Sequence, residues 1–359
     1  MISSQGEQLY IQGKIDEAVK VLEAEESGRS QYVLGSIYRE GYGHVWADEK
    51  KAISYFQKGY DQGDALCGVA LFGGSEGKDM WDLINTAFAT VLEQAVAGDV
   101  LAMDEVGRFY NGEGVIYKPE EGMKWLTKAA FYEYWRGLYD LGKAYEEDII
   151  GFADEKKAQA CYEKAAGFQD KYSAYEVGKY KLDQAETEKE VKEAAQWLQA
   201  AIDYGSGEAA TLLGTIYENG ADGIVETDMN KARECFEKGM KLGDGESASE
   251  LAFYYNKGLG VPQDKEKAKE LYQKAIDLGD ENSIMNLGFL YLDEKEEAKA
   301  FPYMLKTAEM GLPEAQYLVG SMYLYGKGVE ANREEAISWL QEASDAGNED
   351  AWDLLNEIQ

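Results

Sequence analysis

Nine times, at roughly 36-residue spacing, the chain sets a small residue four places before an apolar anchor and a Gly or Ala immediately after it. The anchors are Leu34, Val69, Val106, Leu141, Val177, Leu213, Leu251, Leu287 and Val319. The small residues before them are Ser30, Ala65, Ala102, Gly137, Ser173, Ala209, Ser247, Ser283 and Ala315, and seven copies carry a tyrosine four places after: Tyr38, Tyr110, Tyr145, Tyr217, Tyr255, Tyr291 and Tyr323. On a helix turning about 100° per residue these positions share one face. Gly or Ala on that face lets a second helix come in toward the short end of the usual ~8–10 Å range, with the tyrosine ring filling the space beside it.

A second apolar-periodic run follows each anchor helix. Lys51-Ala52, Lys157-Ala158, Lys231-Ala232 and Lys267-Ala268 open it; Gly63-Asp64, Gly243-Asp244 and Gly279-Asp280 close it, glycine serving as the left-handed stop. The stretch from Ala315 to Asn348 shows the whole unit: helix, glycine turn, helix, glycine stop. The expected fold is all-α. In such an array length is a poor guide to domain count, because each unit contacts its neighbours and stacks into a solenoid.

These residues resemble the Sel1-like repeat family, a cousin of the tetratricopeptide repeats. The family's glycine turn is matched by Gly112-Glu113-Gly114-Val115, Gly258-Leu259-Gly260-Val261 and Gly326-Lys327-Gly328-Val329. The resemblance implies a right-handed α/α superhelical solenoid of helix-turn-helix, TPR-like repeats. It also implies a scaffold or adaptor whose partner differs from member to member. The expected division is an N-terminal cap over residues 1–29, nine repeats over 30–348, and a C-terminal capping helix over 349–359.

Charge narrows the partners. Lysine and arginine number 36 against 68 acids, a net charge of −32, and such a field repels nucleic acid and phospholipid head groups while speeding encounter with a basic protein. The cysteines Cys67, Cys161 and Cys235 are odd in number and far apart, without the regular pairs of exported Sel1-like proteins, which argues for a reducing compartment. The N-terminus has no basic and apolar leader pattern and no long apolar run occurs, so a cytoplasmic protein that does not enter membranes is expected.

Little points to catalysis. The one histidine, His44, sits in a loop beside Trp46, and metal-ligand spacings and a phosphate loop are missing from the sequence. The glycine pairs recur at helix turns as punctuation. No cofactor, metal or catalytic residue is assigned, and the expectation is a non-enzymatic protein; an enzyme accessory or weak hydrolase is the alternative from another class.

Binding residues are sought opposite the anchor. Positions two before and two after it lie on the far side of the first helix, the concave side in related solenoids. There Arg108, Lys143 and Lys179 form a basic row, flanked by Tyr139 and Tyr175. Phe253, Met285, Phe289 and Tyr317 form an apolar and aromatic row. One reading is a groove that holds an extended peptide, its acidic side chains or terminal carboxylate on the basic row and an apolar anchor on Phe253, Phe289 and Met285. The other is surface pairing, since Glu105, Asp140 and Glu176 stand three residues before the three basic residues, a helical spacing worth about 0.2–0.5 kcal/mol per pair. A further alternative is an acidic inhibitor or immunity-type protein that meets the basic surface of its partner with its outer face.

Overall fold

The computed structural model describes residues 4–42, 45–72, 78–113, 117–147 and 153–358. His44 and the Gly73, Gly74, Gly77, Gly114 and Val115 positions lie outside the described residues. Among the described residues the regular structure is helical, without a strand.

The chain divides into two compact units, residues 1–209 and 210–359. In the first, α1 (Gln5–Ile11) and α2 (Ile15–Glu25) form an N-terminal hairpin. It is followed by α3 (Gly28–Glu40) with α4 (Glu49–Asp61), α5 (Ala65–Phe72) with α6 (Lys78–Val96), and α7 (Val100–Arg108) with α8 (Pro119–Phe131). Then come α9 (Trp135–Glu146) with α10 (Glu155–Ala166), and α11 (Lys171–Asp183) with α12 (Glu188–Asp203). The second unit is built from α13 (Gly207–Gly223), which starts just before the division, with α14 (Met229–Lys241), and α15 (Gly245–Lys257) with α16 (Lys265–Asp277). It continues through α17 (Asn282–Asp293) with α18 (Glu297–Glu309), α19 (Pro313–Tyr325) with α20 (Arg333–Asp345), and a closing α21 (Glu349–Ile358). Within each unit successive helices pack on one another, as expected of an array held by nearest neighbours.

The residue after the anchor sets the hairpin. A Cβ built on Gly35 would stand 2.5 Å from the Phe56 ring, one on Gly214 2.5 Å from the Phe236 ring, and one on Gly320 2.7 Å from Leu340. In these three hairpins the two helices therefore touch where a side chain is missing. Phe56, Phe236 and Leu340 are fully buried as a result, each contributing on the order of 2 kcal/mol by removal from water.

The Gly-Asp pairs do two jobs. Gly63, Gly243 and Gly279 turn with φ of 85°, 86° and 95°, in the left-handed region where side chains are strained. The aspartates after them cap the next helix: Asp64 accepts from the Cys67 N–H, Asp244 from Ser247 and Asp280 from Ser283. Asp48, Asp154, Asp228 and Asp264 cap the second helices through the N–H of Lys51, Lys157, Lys231 and Lys267. At about 1 kcal/mol each, these caps give part of the acidic composition a structural role.

The repeated tyrosine and the repeated lysine prove to be partners. Lys51 Nζ lies 3.8 Å from the centre of the Tyr38 ring, Lys267 3.8 Å from Tyr255, Lys231 5.2 Å from Tyr217 and Lys157 5.3 Å from Tyr145. Those rings are half-buried rather than enclosed in the core, each with an ammonium over its face, a contact worth about 0.5–1 kcal/mol at an exposed site. Cys161 and Cys235 occupy equivalent places on α10 and α14, as the register predicts, and all three cysteines are free thiols.

Candidate functional site

Unit 1 turns its inner face on itself. The Trp135 indole N–H donates to the Tyr10 carbonyl at 2.8 Å, Tyr42 meets Trp135 edge-on at 4.7 Å, and the Lys171 ammonium donates to the Glu40 and Gly41 carbonyls. The N-terminal hairpin and α3 thereby reach the start of α9 and α11. Between them lies a buried charge network. Arg136 pairs with Glu40 at 3.2 Å and Asp140 at 3.6 Å, and the Tyr32 hydroxyl donates to Glu105 at 3.0 Å. Burial works against the Glu40 carboxylate, but Arg136 and Arg108 outweigh it and hold its pKa below the usual range. Asp104 goes the other way, pushed well above the carboxylate range by burial first and by neighbouring Asp140 second.

The basic row is drawn into this arrangement at one end. Arg108 is half-buried and reaches Glu105 at 3.5 Å and Asp140 at 3.8 Å. Lys143 and Lys179 are exposed; Lys143 pairs with Glu147 at 3.4 Å and Lys179 with Glu176 at 3.9 Å. Two of the three pairings expected from helical spacing are present, while Asp140 is shared by Arg108 and Arg136 and Lys143 turns to the next helical turn instead. Arg108 and Lys143 line one cleft of about 240 Å³ with Asn111, Asp140 and Glu147. Lys179 lines another, of about 290 Å³, beside Tyr145 and Tyr162. Tyr139 is half-buried, its ring 5.7 Å from that of Tyr162 and 5.9 Å from that of Tyr172, and Tyr175 is also half-buried.

Unit 2 presents the opposite surface. The inner positions carry short hydroxyl side chains that tie one helix to the next: Thr211 donates to Asp244 at 2.5 Å, and Ser283 donates to Ser249 at 2.9 Å. Phe253 and Phe289, at equivalent positions of adjacent repeats, are 39% and 41% exposed. They flank a cleft of about 600 Å³ whose walls include Asn256, Lys257, Asn286 and Asp293. Met285 and Tyr317 are half-buried and pack against the cores around Val319 and Leu340, so the apolar row separates into two exposed rings and two packed side chains. The polar residues of this cleft carry no registered signal in the sequence. Among the described residues no group of side chains is arranged to hold a metal ion, and no helix is long and apolar enough to cross a membrane.

Against known proteins, a family model described as Sel1 repeat matches residues 28–64, 100–130, 135–166, 171–206, 207–244, 245–280 and 313–348, more than half of the chain. The chain is 30% identical over 245 residues to "Chitin synthase regulator SKT5" of Saccharomyces cerevisiae, a match over 64% of this chain that spans only 35% of the length of that relative. Its fold superposes on the crystal structure of a Sel1 repeat protein from Oxalobacter formigenes with a TM-score of 0.61 and 23% identity, over 86% of this chain and 90% of that one.

Proposed function

The chain belongs to the Sel1 repeat family, and we propose from that premise that it is a non-enzymatic, cytoplasmic scaffold that binds a partner protein through an extended apolar segment laid across the inner face of residues 210–359. Proteins built of Sel1 repeats generally mediate protein–protein interaction, which supports the class of function. The observation that carries the finer reading is the pair Phe253 and Phe289, two exposed rings one repeat apart over a cleft of about 600 Å³. Isolated exposed aromatic residues need no explanation, but two in register around one concavity fit an anchor pocket, with Asn256 and Asn286 beside them able to bond a peptide backbone.

The basic row has a lesser part in this reading. Each of Arg108, Lys143 and Lys179 has a carboxylate within 4.0 Å, so an acidic ligand there would have to displace an existing pair.

The test is a pull-down with wild type, a Phe253→Ser/Phe289→Ser variant and an Arg108→Ser/Lys143→Ser/Lys179→Ser variant, each checked by thermal melting. A partner retained by the wild type and the triple variant but lost by a double variant of unchanged melting temperature supports the proposal. Loss in the triple variant alone moves the site to the basic row. A large fall in stability of the double variant makes the two rings structural and removes the basis of the reading.

A further inference from the structure

We propose that unit 1 holds a second binding site, for a cationic amine or guanidinium group, in the cleft between the α1–α2 turn and the α10–α11 turn. The inference is independent of the aromatic cleft in residues 210–359.

The cleft is built by close backbone approach. Gly13, with φ of +73°, comes so near the Phe168 carbonyl that a Cβ there would stand 2.5 Å from its oxygen. The Trp135 bond to the Tyr10 carbonyl fixes the floor, with Tyr42 packed against the indole. The resulting concavity has a volume of about 410 Å³, in the range that takes a small ligand or a single long side chain. Its walls bring together the aromatic residues Tyr42, Trp135, Phe168 and Tyr204.

The charges around it are one-sided. Asp16, Glu17, Asp170 and Asp203 line the cleft against a single lysine, Lys14. Asp170 is the informative member. It is 3% exposed; its Oδ2 accepts from the Ser173 N–H at 2.8 Å and caps α11, whereas Oδ1 has no hydrogen-bond partner. The lysine next to it, Lys171, spends its ammonium on the Glu40 and Gly41 carbonyls. Burial holds the Asp170 carboxyl above its ordinary range even though hydrogen bonding to Ser173 and to the Tyr172 backbone, and then Arg136, act to lower it. A sheltered carboxylate acts on a charge several ångströms away far more strongly than it would in water, so a cation in the cleft need not touch Oδ1 to be held by it. Aromatic rings add attraction for the same sign of charge. An anion would meet four carboxylates, and a neutral apolar guest would leave Asp170 more poorly solvated than before.

Two sources present this chemistry: a free polyamine, and the arginine or lysine side chain of a protein. The experiment is calorimetric titration of the full chain, at about physiological ionic strength to suppress diffuse counterion binding, with spermidine, acetyl-arginine amide, acetyl-lysine amide and the neutral acetyl-citrulline amide. The variants are Asp170→Asn, which keeps the helix cap and removes the charge, and Asp203→Asn, on an exposed residue.

The expected result is saturable one-to-one binding of at least one cation and none of the citrulline compound, with affinity lowered by about tenfold or more in Asp170→Asn. If melting shows that this variant does not fold, Asp203→Asn decides in its place. Tighter binding of spermidine identifies the free amine as the source; tighter binding of an amino-acid amide identifies a protein side chain. Failure of every cation to saturate a single site, or equal affinity in wild type and the folded variant, overturns the proposal.

Discussion

The same helical hairpin produces two unlike inner surfaces. In residues 1–209 the positions flanking the anchor carry Tyr32, Asp104 and Arg108, and Tyr32 and Asp104 are buried, 7% and 2% exposed, in contact with or beside a network of charges. In residues 210–359 the corresponding positions carry Thr211, Ser249, Phe253 and Phe289, and the two phenylalanines face solvent. The anchor, its glycine, the aspartate caps and the tyrosine–lysine contact are common to both. What differs is the chemistry of the opposite face: in the first unit Tyr32, Asp104 and Arg108 are drawn into a charge network, and in the second Phe253 and Phe289 stand exposed beside a cleft. The repeat therefore specifies a module, and the residues outside its motif specify what the module can bind.

The sharpest break of that comparison is at Arg136. Replacing it by Leu takes the nearest cation from Glu40 and leaves Asp140 to Arg108, and the expected loss is about 3–5 kcal/mol, read from urea unfolding. The variant should still bind whatever docks on Phe253 and Phe289 wherever residues 210–359 remain folded. A loss under 1 kcal/mol, by the usual scale for exposed pairs, would show that the network is solvated and the contrast between the units only apparent.

Next come matched substitutions in the shared module. Gly35→Ala and Gly214→Ala each push a methyl to 2.5 Å from a phenylalanine ring, and each should destabilise by about 1–3 kcal/mol. Near-equal values would sharpen the claim that one hairpin serves both units; clearly unequal ones would break it.

A smaller effect is expected at Glu250 in the second unit. Burial, then Glu218, Glu246 and Asp280, push its pKa from an ordinary 4.5 to about 7. Between those values the folded chain holds a proton that the unfolded chain has released, so this contribution to stability is full below the lower value and lost as pH rises through the upper one. Glu250→Gln should therefore raise stability at about pH 8, by about 1 kcal/mol once discounted for the solvent that reaches the carboxyl, and leave it unchanged at about pH 4. Melting curves at the two pH values decide it. A gain of equal size at both would mean that the carboxyl's charge is not the cause.

The smallest effect belongs to the exposed end of the basic row. Lys143→Ser with Lys179→Ser should stay within about 0.5 kcal/mol of wild type in the same urea titration, in contrast to the charge network at the other end of the row. A larger loss would mean that the pairs with Glu147 and Glu176 do more than surface ion pairs usually do.

Much of this molecule was legible from residue order alone. The spacing of anchor, glycine and tyrosine determined the helical hairpin, where each helix stops and which face is buried, because those outcomes depend on neighbours within about one repeat. Even the lysine of the second helix was visible as a motif, although its place over the tyrosine ring was not. The binding face was legible only as a register. Arg108, Lys143 and Lys179 occupy equivalent positions, yet one is wedged between Glu105 and Asp140 and the other two stand in water. Met285 and Phe289 are four residues apart on one helix, yet one packs and the other is exposed. These outcomes follow from how small rotations between successive hairpins add up along each unit, bringing Tyr10 to Trp135 across 125 residues of chain. No local pattern encodes that sum, so the sequence determined the module and its repetition, and only the tertiary structure decided which inner residues meet each other and which are left to meet a partner.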